Sequence, residues 1–191
     1  MPKLSIQRWL VFVCLAAALL STACAGPWQK VPNRIEEKAW SIRAPKGWMR
    51  LSLPDSEMLS KNGPYLEYIL IQSRPVTEKF RYTRQNLTTD MLPHEAAQLI
   101  IDNLRSDPLI RGFRLLSSEP AILAGEPGFK LTFTYRDKND VEAQTVYYGV
   151  VLPDMFFNLR YTAARRYYFA QELSTFSSVL DSLQFLPRRT S

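Results

Sequence analysis

The clearest pattern of apolar and polar positions lies in the last third of the chain. Residues 128–136 alternate without interruption between apolar or aromatic side chains and polar or charged ones. Residues 141–151 and 155–163 follow as two further strand-like segments, with turn-forming residues at 137–140 and 152–154. Because a period of two is typical of a half-buried strand, this pattern predicts an antiparallel meander with one solvated face.

The spacing changes to that of amphipathic helices in two other places. From about Tyr168 to Ser182, apolar side chains recur at intervals of four and three residues, at Phe169, Leu173, Phe176, Leu180 and Leu183. A middle segment before Asp107-Pro108 forms a second apolar face, made of Ala96, Ala97, Leu99, Ile100, Ile101 and Leu104. We predict that Thr89 or Asp90 caps the middle helix, with Pro93 in its first turn, and that both helices pack on the sheet.

The remaining segments predict shorter elements. Strands are expected at 39–44, 48–53 and 65–72, and the third is expected in a central position because β-forming residues dominate it. A further strand is expected to begin at 113–116, and 121–123 could continue it beyond Pro120. The polar residues 74–89 are interpreted as a surface loop. Together the elements predict an α+β fold, in which an antiparallel sheet with a C-terminal meander packs against a middle helix and a C-terminal helix.

The N-terminal segment has the order of a secretory signal peptide: Lys3 and Arg8, then an apolar run, then small residues. Cys24 makes it resemble a bacterial lipoprotein signal, in which cleavage precedes the cysteine and the cysteine is lipidated. A leucine lies four residues before Cys24, whereas the lipoprotein pattern places it three residues before. Two alternatives stay open. The small residues 23–25 also fit an ordinary site with cleavage before Gly26, and the apolar run could be an uncleaved anchor, although it is shorter than the roughly 20 residues that span a bilayer.

These features divide the chain into four parts. We predict a signal peptide at 1–23, a polar tether at 24–37, a single α+β domain at 38–187 and a short tail at 188–191. The only cysteine besides Cys24 is part of the signal, so the domain has neither a disulfide framework nor a catalytic thiol.

Composition further narrows the possible functions. The formal charge is +6, but the basic residues are scattered without a run of five or six, which argues against a nucleic-acid-binding arm. The only histidine, His94, adjoins a proline at a helix start, where a surface or capping role is expected rather than catalysis. Carboxylate pairs occur in the tether, a hairpin turn and a loop, where solubility and turn formation explain them. We therefore expect no catalytic residues, no metal site and no cofactor.

Aromatic residues are concentrated in the meander and just after it. Adjacent strand residues point to opposite faces, so pairs such as those at 147–148 and 156–157 place aromatic rings on both faces of the sheet. One face must be core, and the other either lies under a helix or forms an exposed binding surface. The candidate partner surface comprises Tyr148, Phe156, Arg160, Arg165 and Arg166, whose guanidinium groups suit acidic or aromatic groups on a partner.

Three short sequences resemble the PsbP-like family, which includes the extrinsic lumenal subunit of photosystem II and many small exported bacterial proteins. The segment 40–48 (WSIRAPKGW) resembles the family's opening strand and Pro-x-Gly-Trp turn. The segment 176–185 (FSSVLDSLQF) resembles its closing helix and strand, and 125–129 (GEPGF) fits the start of its meander. The resemblance implies an antiparallel sheet with helices against it and mostly non-catalytic, partner-binding roles; it supplies no catalytic residues.

The expected function is therefore that of an exported lipoprotein that binds rather than catalyses. Ala25 after Cys24 resembles lipoproteins sorted to the outer membrane of a Gram-negative cell, with the domain facing the periplasm. The first hypothesis is an interaction or accessory module for an envelope protein. The alternative is that the protein carries an apolar small molecule in a pocket between sheet and helix. A third, less favoured hypothesis is that it is a small enzyme.

Overall fold

The computed structural model of this protein describes residues 27–187. The proposed signal peptide, Cys24 and the tail at 188–191 lie outside the described residues. Within 27–187, no helix is both long and apolar enough to cross a bilayer.

Eleven strands and two helices make up the described part of the chain. In chain order the strands are β1 (Gln29–Lys30), β2 (Arg34–Glu36), β3 (Trp40–Arg43), β4 (Met49–Leu53), β5 (Ser56–Ser60), β6 (Glu67–Pro75), β7 (Arg111–Leu123), β8 (Glu126–Arg136), β9 (Glu142–Val151), β10 (Met155–Ala164) and β11 (Gln184–Phe185). The helices are α1 (Pro93–Arg105) and α2 (Tyr168–Asp181).

Eight of the strands form one antiparallel sheet in the order β1-β4-β5-β6-β10-β9-β8-β7. Its second half is a meander of hairpins, and β10 joins that meander to β6 in the middle of the sheet. A second sheet has the order β11-β3-β2. This arrangement confirms the predicted α+β fold with a C-terminal antiparallel meander.

Each face of the large sheet is covered by a different set of elements. Helix α1 packs over β7, β8 and β9, and together with the preceding loop it encloses a cluster that includes Phe129, Phe133 and Phe156, here called the α1 core. Helix α2 and the small sheet cover the other face around Phe157, Tyr161 and neighbouring side chains, here called the α2 core. The six apolar positions predicted for the middle helix are all buried in the α1 core.

The predicted tether is wrong for the part that the structure describes. Arg34–Glu36 pairs with β3, and Gln29–Lys30 pairs with β4 at the edge of the large sheet. Ile35 is only 1% exposed and belongs to the α2 core. A polar segment with a single buried side chain has no measurable period, so the pattern could not show that it extends a sheet.

The predicted surface loop at 74–89 also needs correction. Strand β6 continues to Pro75, and Val76, Phe80 and Leu87 are buried in the α1 core beneath the following loop. Strand β5 was not predicted at all. Its polar composition hides the fact that it pairs with strands on both sides.

The start of α1 differs slightly from the expectation. Leu92 is the N-cap instead of Thr89 or Asp90, and Pro93 occupies the first helical position. The Glu95 carboxylate accepts a hydrogen bond of 2.8 Å from the Leu92 amide, which supplies the cap from inside the first turn.

The expectation of one solvated face is wrong for β10. On its predicted polar face Phe156 is 1% exposed, and Asn158 and Thr162 are also buried. The reason is topological: β10 lies between β6 and β9, so α1 and its loop cover the face that alternation alone assigned to solvent.

Candidate functional site

A cleft of about 390 Å³ opens on the α1 side of the large sheet. Its floor is formed by side chains of β8, β9 and β10, and by Tyr68 of β6. One wall is the end of α1 with the connection to β7, residues 103–110, and the other is the turn that precedes β6, residues 64–66. The cleft is therefore bounded by elements from four separate parts of the chain.

Arg160 lies on the floor of this cleft. It pairs in register with Tyr147 of β9 on one side and with Leu70 of β6 on the other. The side chain is partly buried, and its Nε atom is fully buried without a hydrogen-bond partner among the residues that the structure describes. Buried polar groups in folded proteins are nearly always hydrogen-bonded, so this Nε is an exception, and the described residues leave part of the hydrogen-bonding capacity of the Arg160 guanidinium unused.

Two pairs of hydroxyl groups surround Arg160. The hydroxyls of Thr145 and Thr162 are 2.9 Å apart on neighbouring strands, and the phenol of Tyr68 hydrogen-bonds that of Tyr135. In each pair one hydroxyl donates to the other, so one hydrogen of each pair remains for a further acceptor. Each pair can therefore donate one hydrogen to a ligand, and the Arg160 guanidinium adds donors without adding an acceptor.

Tyr135 on the floor of the cleft, and Tyr147 in the adjacent α1 core, are held in their neutral form. Burial, reinforced by the neighbouring Tyr68, raises the pKa of Tyr135 far above its usual value, whereas Arg160 acts in the opposite direction. Burial likewise raises the pKa of Tyr147, against the opposing effect of Arg160 and Arg74. At neutral pH both phenols are therefore protonated, so neither is available as a general base.

Two carboxylates also line the cleft, but both serve its loops. Asp107 accepts a hydrogen bond of 2.9 Å from the Leu109 amide and another from the Tyr82 hydroxyl. Asp137 accepts hydrogen bonds from the amides of Asn139 and Val141 at 2.8 and 2.9 Å, which close the β8–β9 turn. Their hydrogen bonds therefore fix the loops at the mouth of the cleft.

The rim of the cleft carries large apolar side chains in contact with solvent. Tyr65 is 68% exposed, Leu109 is 63% exposed and Val141 is 41% exposed. Lys138 lies 5.3 Å above the Tyr65 ring in a cation–π contact. We call these four residues the rim. An exposed apolar rim above a polar floor is the arrangement expected of a binding cleft.

The structure divides the predicted partner surface among separate places. Phe156 is buried in the α1 core and stacks on Phe129 at 6.3 Å, so its assignment to an exposed surface is wrong. Tyr148 is partly buried on the opposite face, 6.1 Å from Phe176 of α2. Of these three residues only Arg160 lines the cleft. Alternation sends Tyr148 to the opposite face, whereas Phe156 shares the face of Arg160 but lies further along β10, in the α1 core.

Arg165 and Arg166 follow the end of β10. Arg165 is exposed and forms an ion pair of 2.8 Å with Glu142, next to the strand end where Ala143 and Ala164 line the cleft. Arg166 is exposed. The two guanidinium groups thus lie beyond the strand end, whereas Arg160 points into the fold.

His94 lies exposed on the first turn of α1 and does not line the cleft. Within residues 27–187, no group of three or more histidine, cysteine, aspartate or glutamate side chains could hold a metal ion. The sequence patterns did not predict the hydroxyl donors of the cleft, which are those of Tyr68, Tyr135, Thr145 and Thr162. The one sequence feature that could have indicated this site is that Arg160 is the only charged residue of its strand.

Comparisons of the fold with solved structures find the same architecture at low sequence identity. Cyanobacterial PsbP (CyanoP) from Synechocystis sp. PCC 6803 matches with a TM-score of 0.54 and 14% identity, covering 87% of this chain and 98% of that chain. The Ran-binding protein Mog1p of Saccharomyces cerevisiae matches with a TM-score of 0.52 and 11% identity, covering 82% and 96%. Protein PA94 of Pseudomonas aeruginosa, a protein of unknown function, matches with a TM-score of 0.50 and 11% identity, covering 84% and 90%.

The chain therefore has a PsbP-like fold. No family model and no curated protein matches its sequence. At these identities the likeness shows the fold alone, since one fold supports many functions.

Proposed function

We propose that this protein is a non-catalytic binding module of a bacterial envelope and that it takes its ligand in the cleft beside α1. The observation that carries the proposal is the Arg160 guanidinium, whose buried Nε has no partner in the described chain, at the floor of a cleft with an exposed apolar rim. A ligand with an acceptor group and an apolar part would satisfy both features.

Binding without catalysis is supported by the state of the groups that line the cleft. Asp107 and Asp137 hold loop amides, and burial keeps Tyr135 protonated far above neutral pH. General acid–base catalysis needs a group whose pKa lies near the working pH, and burial moves the pKa of Tyr135 further from that range. The same fold in Mog1p belongs to a Ran-binding protein, which agrees with a binding role.

An envelope protein partner is the second candidate for the ligand. The exposed rings and aliphatic side chains of the rim favour it, because aromatic and apolar residues of this kind are enriched at the centres of protein interfaces.

A pair of rim variants tests the binding role. The full-length protein is purified from gently solubilised membranes, and its bound proteins and lipids are identified by mass spectrometry. Leu109→Asp places a charge on the rim, whereas the matched control Ile122→Asp changes a residue that is 68% exposed at the opposite end of the β7–β8 hairpin.

We expect Leu109→Asp to lose the bound component and Ile122→Asp to retain it. Loss of a small molecule supports the cleft as a carrier site, and loss of a protein supports the second candidate. If both variants retain every component that the unmodified protein carries, the cleft is not the binding site.

We also propose that Cys24 is lipidated and anchors the protein at the inner leaflet of the outer membrane, facing the periplasm. The order of charged, apolar and small residues before Cys24, and Ala25 after it, support this location. Several acyl chains attach a protein stably, whereas one chain is marginal. Cys24→Ser should block lipid labelling and either release the domain or leave an uncleaved precursor; unchanged labelling and processing would exclude the lipoprotein assignment.

A further inference from the structure

We propose that the ligand of the cleft is a carboxylate attached to an apolar chain, with the carboxylate on Arg160 and the chain directed towards the rim. This inference rests on the proposed binding role of the cleft and specifies the chemistry of its occupant.

The hydrogen-bond donors on the floor of the cleft suit an acceptor with several lone pairs. Arg160 presents a guanidinium whose buried Nε is unpartnered in the described chain. The Thr145–Thr162 and Tyr68–Tyr135 pairs each leave one hydroxyl hydrogen for another acceptor. A carboxylate has two oxygens with about four acceptor sites and pairs with a guanidinium through two parallel hydrogen bonds.

The charge of the cleft favours one negative charge over two. Arg160 on the floor and Lys138 on the rim are its cations, and Asp107 and Asp137 are its anions. A monoanion would pair with the guanidinium without a large excess of negative charge. A dianionic phosphate monoester would add repulsion from both aspartates at the mouth.

The walls accommodate an apolar chain. Leu104 and Ile110 flank the end of α1, Phe133 lies on the floor, and Leu109 and Val141 continue the apolar surface to the rim. The volume of about 390 Å³ falls within the roughly 300–1,000 Å³ that is typical of small-molecule sites. An amphiphile of medium chain length therefore suits both the size and the polarity of the cleft.

The test uses the full-length protein in phosphatidylcholine nanodiscs and a decanoate probe that carries a photoreactive diazirine on its chain. Labelled peptides are mapped by mass spectrometry, which separates probe in the cleft from probe in the lipid. Unlabelled decanoate, decanol and decyl phosphate then compete. The variants are Arg160→Gln, Tyr135→Phe and, as a matched control, Arg166→Gln on an exposed arginine outside the cleft.

We expect saturable labelling of peptides from 103–110 and 133–145, with decanol at least about tenfold weaker than decanoate as a competitor, because a hydrogen-bonded charge pair is lost. Arg160→Gln should raise the half-saturating probe concentration by about tenfold or more. Tyr135→Phe should raise it by a smaller factor, and Arg166→Gln should leave it unchanged. Thermal melting of each variant shows whether it is folded. If Arg160→Gln does not fold, Tyr135→Phe still tests the site.

Equal competition by decanol and decanoate would overturn the carboxylate, as would an unchanged half-saturating concentration in folded Arg160→Gln. Stronger competition by decyl phosphate would replace the carboxylate with a phosphate. If no saturable labelling is found, the proposal of an amphiphilic ligand is wrong. The broader proposal that the cleft is a binding site is tested separately, by the comparison of Leu109→Asp with Ile122→Asp.

Discussion

Phe129 and Gly149 show how one cross-strand pair shapes the α1 core. They lie directly opposite each other on β8 and β9. The Phe129 ring covers Gly149, and a Cβ atom at position 149 would overlap it. The ring also stacks on Tyr147 and Phe156, at 6.1 and 6.3 Å. An aromatic ring placed over a strand glycine buries the bare backbone and holds the register of the pair.

Replacement of Gly149 by alanine should lower the free energy of unfolding by about 1–3 kcal/mol, because an added methyl group overpacks a filled core. Denaturant titration measures the change. The control is a double-mutant cycle with Phe129→Leu: the smaller side chain should relieve part of the overlap, so the double variant should lose less stability than the sum of the two single variants. Strict additivity would mean that the ring does not occupy this space.

At the scale of elements, α2 carries the apolar stripe that its spacing predicts. Phe176 and Leu183 are buried, and Phe169, Leu173 and Leu180 are partly buried against the α2 core. Glu172 interrupts the buried face. Burial would raise the pKa of this carboxyl, but hydrogen bonds of 2.7 Å from Lys61 and from Thr175 outweigh that effect and lower it. Lys61, which directly follows β5, therefore allows an acidic residue to lie on the buried face of α2. The periodicity of the helix gives no sign of this contact, because the partner lies in another part of the chain.

The Phe176→Ala variant should cost about 3–5 kcal/mol of stability, as large-to-small aromatic changes in cores do. Phe176 stacks on Tyr161 at 5.7 Å and lies 6.1 Å from Tyr148, so its removal would leave a cavity between α2 and the sheet. His94→Ala should cost far less, because that side chain is exposed on α1. Both variants can be compared in one denaturant titration. A Phe176→Ala protein of normal stability that no longer captures its partner would mean that the stripe is an interface.

At the scale of the whole molecule, two cores share one sheet, and the chain segment before β3 helps to enclose the second of them. Ile35 of β2 is buried beside Trp40 and Ile42 in the α2 core. Strand β11, which follows α2, pairs with the other edge of β3. The small sheet therefore joins the beginning and the end of the described chain.

A chain that begins at Lys38, the predicted start of the domain, should be less stable than one that begins at Pro27. We expect a loss of at least about 2 kcal/mol, because a core isoleucine and the pairing of β1 and β2 are removed. Thermal melting of the two chains measures the difference, and Ile35→Ala in the longer chain isolates the contribution of the side chain. Chelator and reductant should leave the melting of the longer chain unchanged. Equal stability of the two chains would restore the assignment of 27–37 as a tether.

Local sequence patterns were sufficient to predict the elements whose apolar side chains repeat with a regular period. The alternation at 128–136 predicted β8, and the apolar stripes predicted α1 and α2, because local periodicity records which face of an element is buried. Polar β5, and β2 with its single buried residue, show no local period, although both pair with segments close by in the chain. The strand β10 was visible as a pattern, but only its place between β6 and β9 decided that Phe156, Asn158 and Thr162 are buried. The cleft was decided by tertiary structure alone. It forms only when β6, α1, the β8–β9 turn and β10 meet, so Arg160, Tyr68 and Tyr135 become neighbours through the order of strands in the sheet.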